Sequence, residues 1–360
     1  MPGSFRLAPA RVRPSAFDAM TQERLPIEPR RARRLLCAMQ DTVREAAIRA
    51  RDAALPGQLA GVADQTAADI IYRIDAVADE AIFDWLEQAW PRDLPVELVM
   101  EGLENRPGEA CFPPGTPPEN TVLKLLIDPI DGTRMIMHDK RSAWVLAALA
   151  PQRGPGTRLS DTFAAAMTEL PTTKAGCSDQ ISGLRGAGPD GIVCERLVFA
   201  TGERRATGLL PSSEDTLEHG FASLVDLCAR GRARHGALSE AFFTRAGLAG
   251  AGSPLVFSDQ YISTGGQFYE ILSGRDRMVA DVRPALYAAD NLDALACHPY
   301  DVAPALLLTE AGCILEDLAG KPFDCPVDTT SPVGWAAWAN PRLAERYGGI
   351  LRAALAAHLD

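Results

Sequence analysis

Leu123-Lys124-Leu125-Leu126-Ile127-Asp128-Pro129-Ile130-Asp131-Gly132-Thr133 is an apolar run that ends in two carboxylates three residues apart. Leu125, Leu126 and Ile127 predict a buried strand, and Pro129 and Gly132 mark where it should stop. Asp128 and Asp131 are then delivered together at a strand end, around a tight turn. Like charges that close are costly unless cations neutralise them. Gly132 and Thr133 follow at an expected helix start, where free backbone N–H groups cradle anions. Cations and an anion at one turn point to metal-assisted phosphate chemistry.

The bulk of the sequence narrows the alternatives. At 360 residues the chain can hold one large α/β unit or two average domains, and its 47% apolar and 23% charged residues suit a large globular core. A stretch of 18 or more apolar residues is absent, so no membrane span is expected. The net charge of −11 disfavours nucleic acid and anionic membranes as partners. An anionic substrate then requires divalent ions to reverse the local field. Cys37, Cys111, Cys177, Cys194, Cys228, Cys297, Cys313 and Cys325 form no CxxC pair, which reads as reduced thiols in a cytoplasmic protein. The five histidines form no HxxxH, and neither a P-loop nor a GxSxG elbow is present. Residues 1–28 read as a flexible, Arg- and Pro-rich arm without a secretory h-region.

Along the rest of the chain, helices are expected over about 29–54 and 76–90, with Asp75 at the start of the second. A strand at Glu97–Met100 leads into Glu101, and a Pro- and Gly-rich loop spans 105–120. Trp144–Ala150 and Val193–Ala200 read as strands, Thr216–Cys228 and Tyr269–Leu272 as helical. The turn at 151–156 suggests a seam between halves of about 29–155 and 156–360. Asp301 is placed as N-cap of a helix over 302–311 that Gly312 ends, before a strand at Cys313–Glu316.

Asp128-Pro129-Ile130-Asp131-Gly132-Thr133 resembles the DP(I/L)DGT signature of the inositol monophosphatase family, within the lithium-sensitive, magnesium-dependent phosphatases. Tyr300-Asp301-Val302-Ala303, followed by Thr309-Glu310-Ala311-Gly312, is similar to that family's WDxAA…EAGG motif with Tyr for Trp. The closing Gly334–Pro341 segment is similar to its last strand, and the motifs stand in the family's order over about 29–360. The resemblance implies an α/β (α+β) fold, a layered α-β-α-β-α sandwich shared with fructose-1,6-bisphosphatase. It also implies two or more Mg²⁺ ions. Glu101, Asp128 and the Ile130 carbonyl would hold the first, and Asp128, Asp131 and Asp301 the second. Thr133 and Asp75 would activate water, while Gly132 and Thr133 N–H groups bind phosphate.

The implied substrate is a small phosphate monoester of inositol, a sugar or a polyol. The alternatives are a nucleotide 3′-phosphatase, a sugar-bisphosphatase, or a catalytically weak regulatory relative; the intact acids argue against the last. A homodimer is allowed by the resemblance. The chain also departs from the family. Gly102 and Leu103 follow Glu101 where a second acid is usual, and Arg134-Met135-Ile136 replaces the usual residues after DGT. Arg134, and Gly265 in Thr264-Gly265-Gly266-Gln267, are the weaker candidates for substrate contact. Apparent insertions over 160–230 mark a cover for the site or an oligomer surface.

Overall fold

Strand β5 (Leu123–Asp131) is buried along its whole length in the computed structural model, which describes residues 25–53, 62–65, 70–103, 106–227, 229–291 and 295–359. A strand covered on both faces reads as a continuous apolar run rather than an alternating one. Before it in the chain come α1 (Pro29–Ala53), β1 (Val62–Gln65), β2 (Ile70–Tyr72), α2 (Arg73–Ala89), β3 (Val96–Met100) and β4 (Cys111–Phe112). After it come α3 (Thr133–Met137), β6 (Ala143–Pro151), β7 (Ala164–Leu170), β8 (Cys177–Leu184), β9 (Val193–Val198), β10 (Glu203–Thr207) and β11 (Phe221–Leu224). The chain finishes with α4 (Arg232–Arg245), α5 (Thr264–Leu272), β12 (Asp276–Asp281), α6 (Arg283–Ala289), α7 (Ala305–Glu310), β13 (Ile314–Asp317), β14 (Trp335–Trp338) and α8 (Pro341–Leu359).

These elements stack in five layers. An eight-stranded sheet runs β10-β9-β8-β7-β6-β5-β3-β4, antiparallel except where β3 lies parallel to β5. A four-stranded sheet runs β11-β12-β14-β13. Helices α1 and α2 cover the outer face of the large sheet. The amphipathic face of α1 supplies Leu36, Met39, Val43 and Ala47 to that core, and Glu28 accepts from the Arg30 and Arg31 N–H groups at its start. Helices α5 and α7 lie between the sheets, and α4, α6 and α8 cover the far face of the smaller one. Alanines 164–166 and Gly183 suit strands crowded by helices on both faces: a Cβ on Gly183 would sit 2.8 Å from Leu307 of α7. Among the described residues no helix is long and apolar enough to cross a membrane.

The expected α-β-α-β-α sandwich is therefore present, with local corrections. Ile27 is 5% exposed in the core, so the folded part starts inside the stretch assigned to an arm; residues 1–24 lie outside the described residues. Helix α2 begins at Arg73, which puts Asp75 in its first turn. The 151–156 turn joins two paired strands of one sheet, so it is no seam, and the apparent insertions supply β7 to β10. Within the expected 216–228 helix, Phe221–Leu224 instead pairs parallel with β12, and tertiary pairing overrides the local pattern. Asp301 caps no helix, because α7 starts only at Ala305; Pro304 disfavours helical geometry at the residue before it.

Candidate metal centre

The strand does not stop at Pro129. Asp128 pairs with Leu146 and Asp131 with Trp144, so three steps along β5 oppose two along β6. One extra residue is accommodated as a bulge, where the missing N–H of Pro129 does no harm. The bulge has a consequence for chemistry. Residues three apart on a regular strand face opposite sides, whereas here both aspartates fall in phase with Trp144 and Leu146 and face the second sheet. The Ile130 N–H donates to Asp128 Oδ1 at 3.0 Å and pins the turn.

Gly132 then adopts a φ of 92°, and a Cβ there would lie 2.9 Å from the Ile262 carbonyl and 3.0 Å from Ser263 Cβ. Both conformation and space demand glycine. Gly132→Ala is expected to lower stability by about 1–3 kcal/mol, read as the thermal midpoint in EDTA. An unchanged midpoint would mean that this turn yields freely.

The Thr133 hydroxyl, opening α3, lies 2.9 Å from Asp75 Oδ1 and 2.9 Å from the Ile130 carbonyl. Its single proton reaches one acceptor at a time. Asp131 is held from the opposite side: Ser263 Oγ donates to Oδ2 at 2.7 Å, Gly265 N–H to Oδ2 at 2.5 Å, and Thr264 N–H to Oδ1 at 3.1 Å. Asp301 accepts the His298 N–H at 2.5 Å in the turn before α7. Carboxylate oxygens of Asp128, Asp131 and Asp301 lie within 4.8 Å of one another. Glu101, Ile130, Gly132, Thr133 and Arg134 line the same cleft. Gly265 is buried behind the cleft wall, with room for no side chain against Leu146 and Asp131. Its part is to fix Asp131, which corrects its reading as a substrate contact.

Several lining residues were not singled out as site residues from sequence: Ser263, Thr264, Gln267, Arg283, His298 and Tyr300 among the polar ones. Arg283 brings a guanidinium close to the acids, yet its Nε and Nη2 are engaged by Asp281 at 2.9 and 2.6 Å. Arg134 and Arg283 share this lining with Glu101, Asp128, Asp131 and Asp301, so the acids outnumber the guanidinium groups. Burial drives the Asp128 carboxyl well above its ordinary range, and Glu101, Asp131, Asp301 and Asp75 push the same way. Burial also raises Asp131, to about 6, against the opposing donors from Gly265, Ser263 and Thr264 and the Arg283 charge. A buried set of hard oxygen donors that resists ionising fits Mg²⁺, which takes carboxylates, carbonyls and water. No sulfur donor is among the lining residues.

The raised values set a pH dependence. A carboxyl whose folded pKa exceeds its unfolded one binds more protons when folded, so its ionisation weakens the fold as pH rises. For Asp131 the loss runs from pH 3.8 to about 6, and the raised Asp128 carboxyl acts in the same direction. In EDTA, stability measured by urea titration should carry a falling contribution between pH 3.8 and about 6 that Mg²⁺ abolishes. A contribution from these two sites that rises with pH would contradict this electrostatic account.

No family model and no curated protein matches the sequence. Solved structures do. The extragenic suppressor protein SuhB from Bartonella henselae is 16% identical with a TM-score of 0.58, over 88% of this chain and 97% of that one. Fructose-1,6-bisphosphatase from Leishmania major, in holo form, is 14% identical with a TM-score of 0.63, over 94% and 98%. Inositol monophosphatase from Anabaena is 12% identical with a TM-score of 0.56, over 91% and 96%. The chain has the inositol monophosphatase and fructose-1,6-bisphosphatase fold.

Proposed function

We propose that the protein is a Mg²⁺-dependent phosphatase acting on a small phosphate monoester. The observation that carries this reading is the convergence of Asp128, Asp131 and Asp301 within 4.8 Å, in one cleft with Glu101 and beside the Thr133–Asp75 pair. Glu101, Asp128 and the Ile130 carbonyl would hold one ion, and Asp128, Asp131 and Asp301 another. Such ions supply Lewis acidity and an acidified water. The residues themselves do the following. Thr133, donating to Asp75, presents its hydroxyl oxygen as acceptor for the water's proton, and Asp75 is the final base. The N–H groups of Gly132 and Thr133, two residues of the cleft lining, would orient phosphate oxygens. Arg134, on the same lining, adds positive charge toward a dianionic ester.

Sugar, inositol and other polyol phosphates are the substrate class we propose, with a nucleotide 3′-phosphate or a sugar bisphosphate as the second reading. The test is phosphate release in Mg²⁺ from a panel of sugar, inositol, nucleotide and amino-alcohol phosphates. Turnover of at least one monoester is expected. Silence across the panel, from folded protein, would remove the phosphatase reading.

A further inference from the structure

Asp131 owes its orientation to the three donors of the Ser263–Gly265 turn, and what fixes that turn lies outside the cleft. Arg141, just ahead of β6, places its guanidinium 3.6 Å from the centre of the Tyr261 ring. Its Nη1 lies 2.8 and 2.7 Å from the two Asp259 oxygens, and Nη2 reaches Glu270 of α5 at 3.2 Å. Tyr261 is tied at several further points. Its hydroxyl donates to the Ser142 carbonyl at 2.7 Å and accepts from Trp144 Nε1 at 3.3 Å, and its carbonyl accepts from Gln267 at 2.7 Å. The ring also packs flush on Gly266, where a Cβ would come within 2.3 Å of it.

The segment from Asp259 to Gln267 is thereby fastened to the start of β6, the strand paired with the β5 bulge. A planar guanidinium can stack on a ring and hydrogen-bond in its own plane together, which an ammonium cannot. Groups that orient a metal's carboxylate ligands act on affinity through that orientation.

We propose that Arg141 and Tyr261 are positioning residues for the metal position beside Asp131. Their stack locks the 261–265 segment so that Ser263, Thr264 and Gly265 hold the Asp131 carboxylate in one orientation. The inference rests on the metal-centre reading above, and goes beyond it by assigning the tightness of the ion to a pair of side chains that touch neither ion nor substrate.

The test is a calorimetric titration of the full chain with Mg²⁺ alone, alongside the Mg²⁺ requirement for phosphate release. Arg141→Lys keeps the charge and loses the stack. It should weaken Mg²⁺ binding about tenfold and raise the concentration for half-maximal release by a similar factor, while the midpoint in EDTA moves by only a few degrees. Asp259→Asn, which loosens Arg141 without altering the ring, should show the same change to a smaller extent and serves if the Lys variant does not fold. Tyr261→Phe keeps the stack and should bind Mg²⁺ more tightly than Arg141→Lys. Variants at 141 and 259 that bind Mg²⁺ as wild type does, whatever their melting, would overturn the proposal and leave Arg141 a structural residue. Wild type that binds Mg²⁺ yet hydrolyses nothing removes the phosphatase reading alone, and the calorimetry still decides the clamp. Wild type that binds no Mg²⁺ overturns both.

Discussion

Phosphate release in excess EDTA is expected to fall to the buffer blank and to return when Mg²⁺ is added in excess of the chelator. Without cations, the cleft presents Glu101, Asp128, Asp131 and Asp301 to a substrate that is itself anionic. Two unit charges 4 Å apart repel by about 4 kcal/mol at the screening typical of a protein surface. Several such pairs keep the ester out. Water that does enter keeps a pKa near that of the bulk, which a Thr–Asp pair cannot overcome on its own. Undiminished release in excess chelator would sink the metal-dependent mechanism.

Asp131→Asn should cut turnover by roughly two to three orders of magnitude, the scale of losing one preorganised electrostatic group, with little loss of fold. The amide keeps the shape and can still accept from Ser263 and Gly265 through one atom. Its NH₂ then faces the Thr264 N–H, which formerly donated to Oδ1. That lost bond costs on the order of 1.5–3 kcal/mol. Against it stands relief from a buried charge: a shift from 3.8 to about 6 corresponds to roughly 3 kcal/mol near neutral pH. The two nearly cancel, so the midpoint in EDTA should stay within a few degrees of wild type. A variant that melts far below wild type in EDTA would mark Asp131 as part of the scaffold.

What could be read from sequence was what is written locally. The apolar run into Asp128-Pro129-Ile130-Asp131-Gly132 specifies its own strand, and glycine at a φ of 92° specifies its own turn. Asp75, Glu101 and Asp301 could be named through the resemblance, and the structure brings Glu101 and Asp301 to the cleft and Asp75 to the Thr133 hydroxyl. The holders of Asp131 were not legible. Ser263 and Thr264 look like any polar helix entry, and Ser263 does accept from Gly266 N–H as an ordinary cap. Its second bond, across 132 positions to Asp131, leaves no local trace. Arg141 is equally silent, since its partners lie 118 and 129 positions away. The strand at Phe221–Leu224 has no local signal either, because its strand character comes from β12, which is more than fifty residues distant.

The bulge in β5 turns the aspartate pair into a problem of counting. What the fold requires between Asp128 and Asp131 is a number of residues before it is any kind of residue. Deleting Pro129 or Ile130 would restore a regular ladder with the two acids two residues apart and still on one face, but without the turn in which the Ile130 N–H pins Asp128 and the Ile130 carbonyl stands beside Thr133. Substitution at those two positions leaves the phase intact. What the extra residue brings to the acids is backbone, the Ile130 N–H on Asp128 and the Ile130 carbonyl beside Thr133, and an exchange of side chains at 129 and 130 does not remove it.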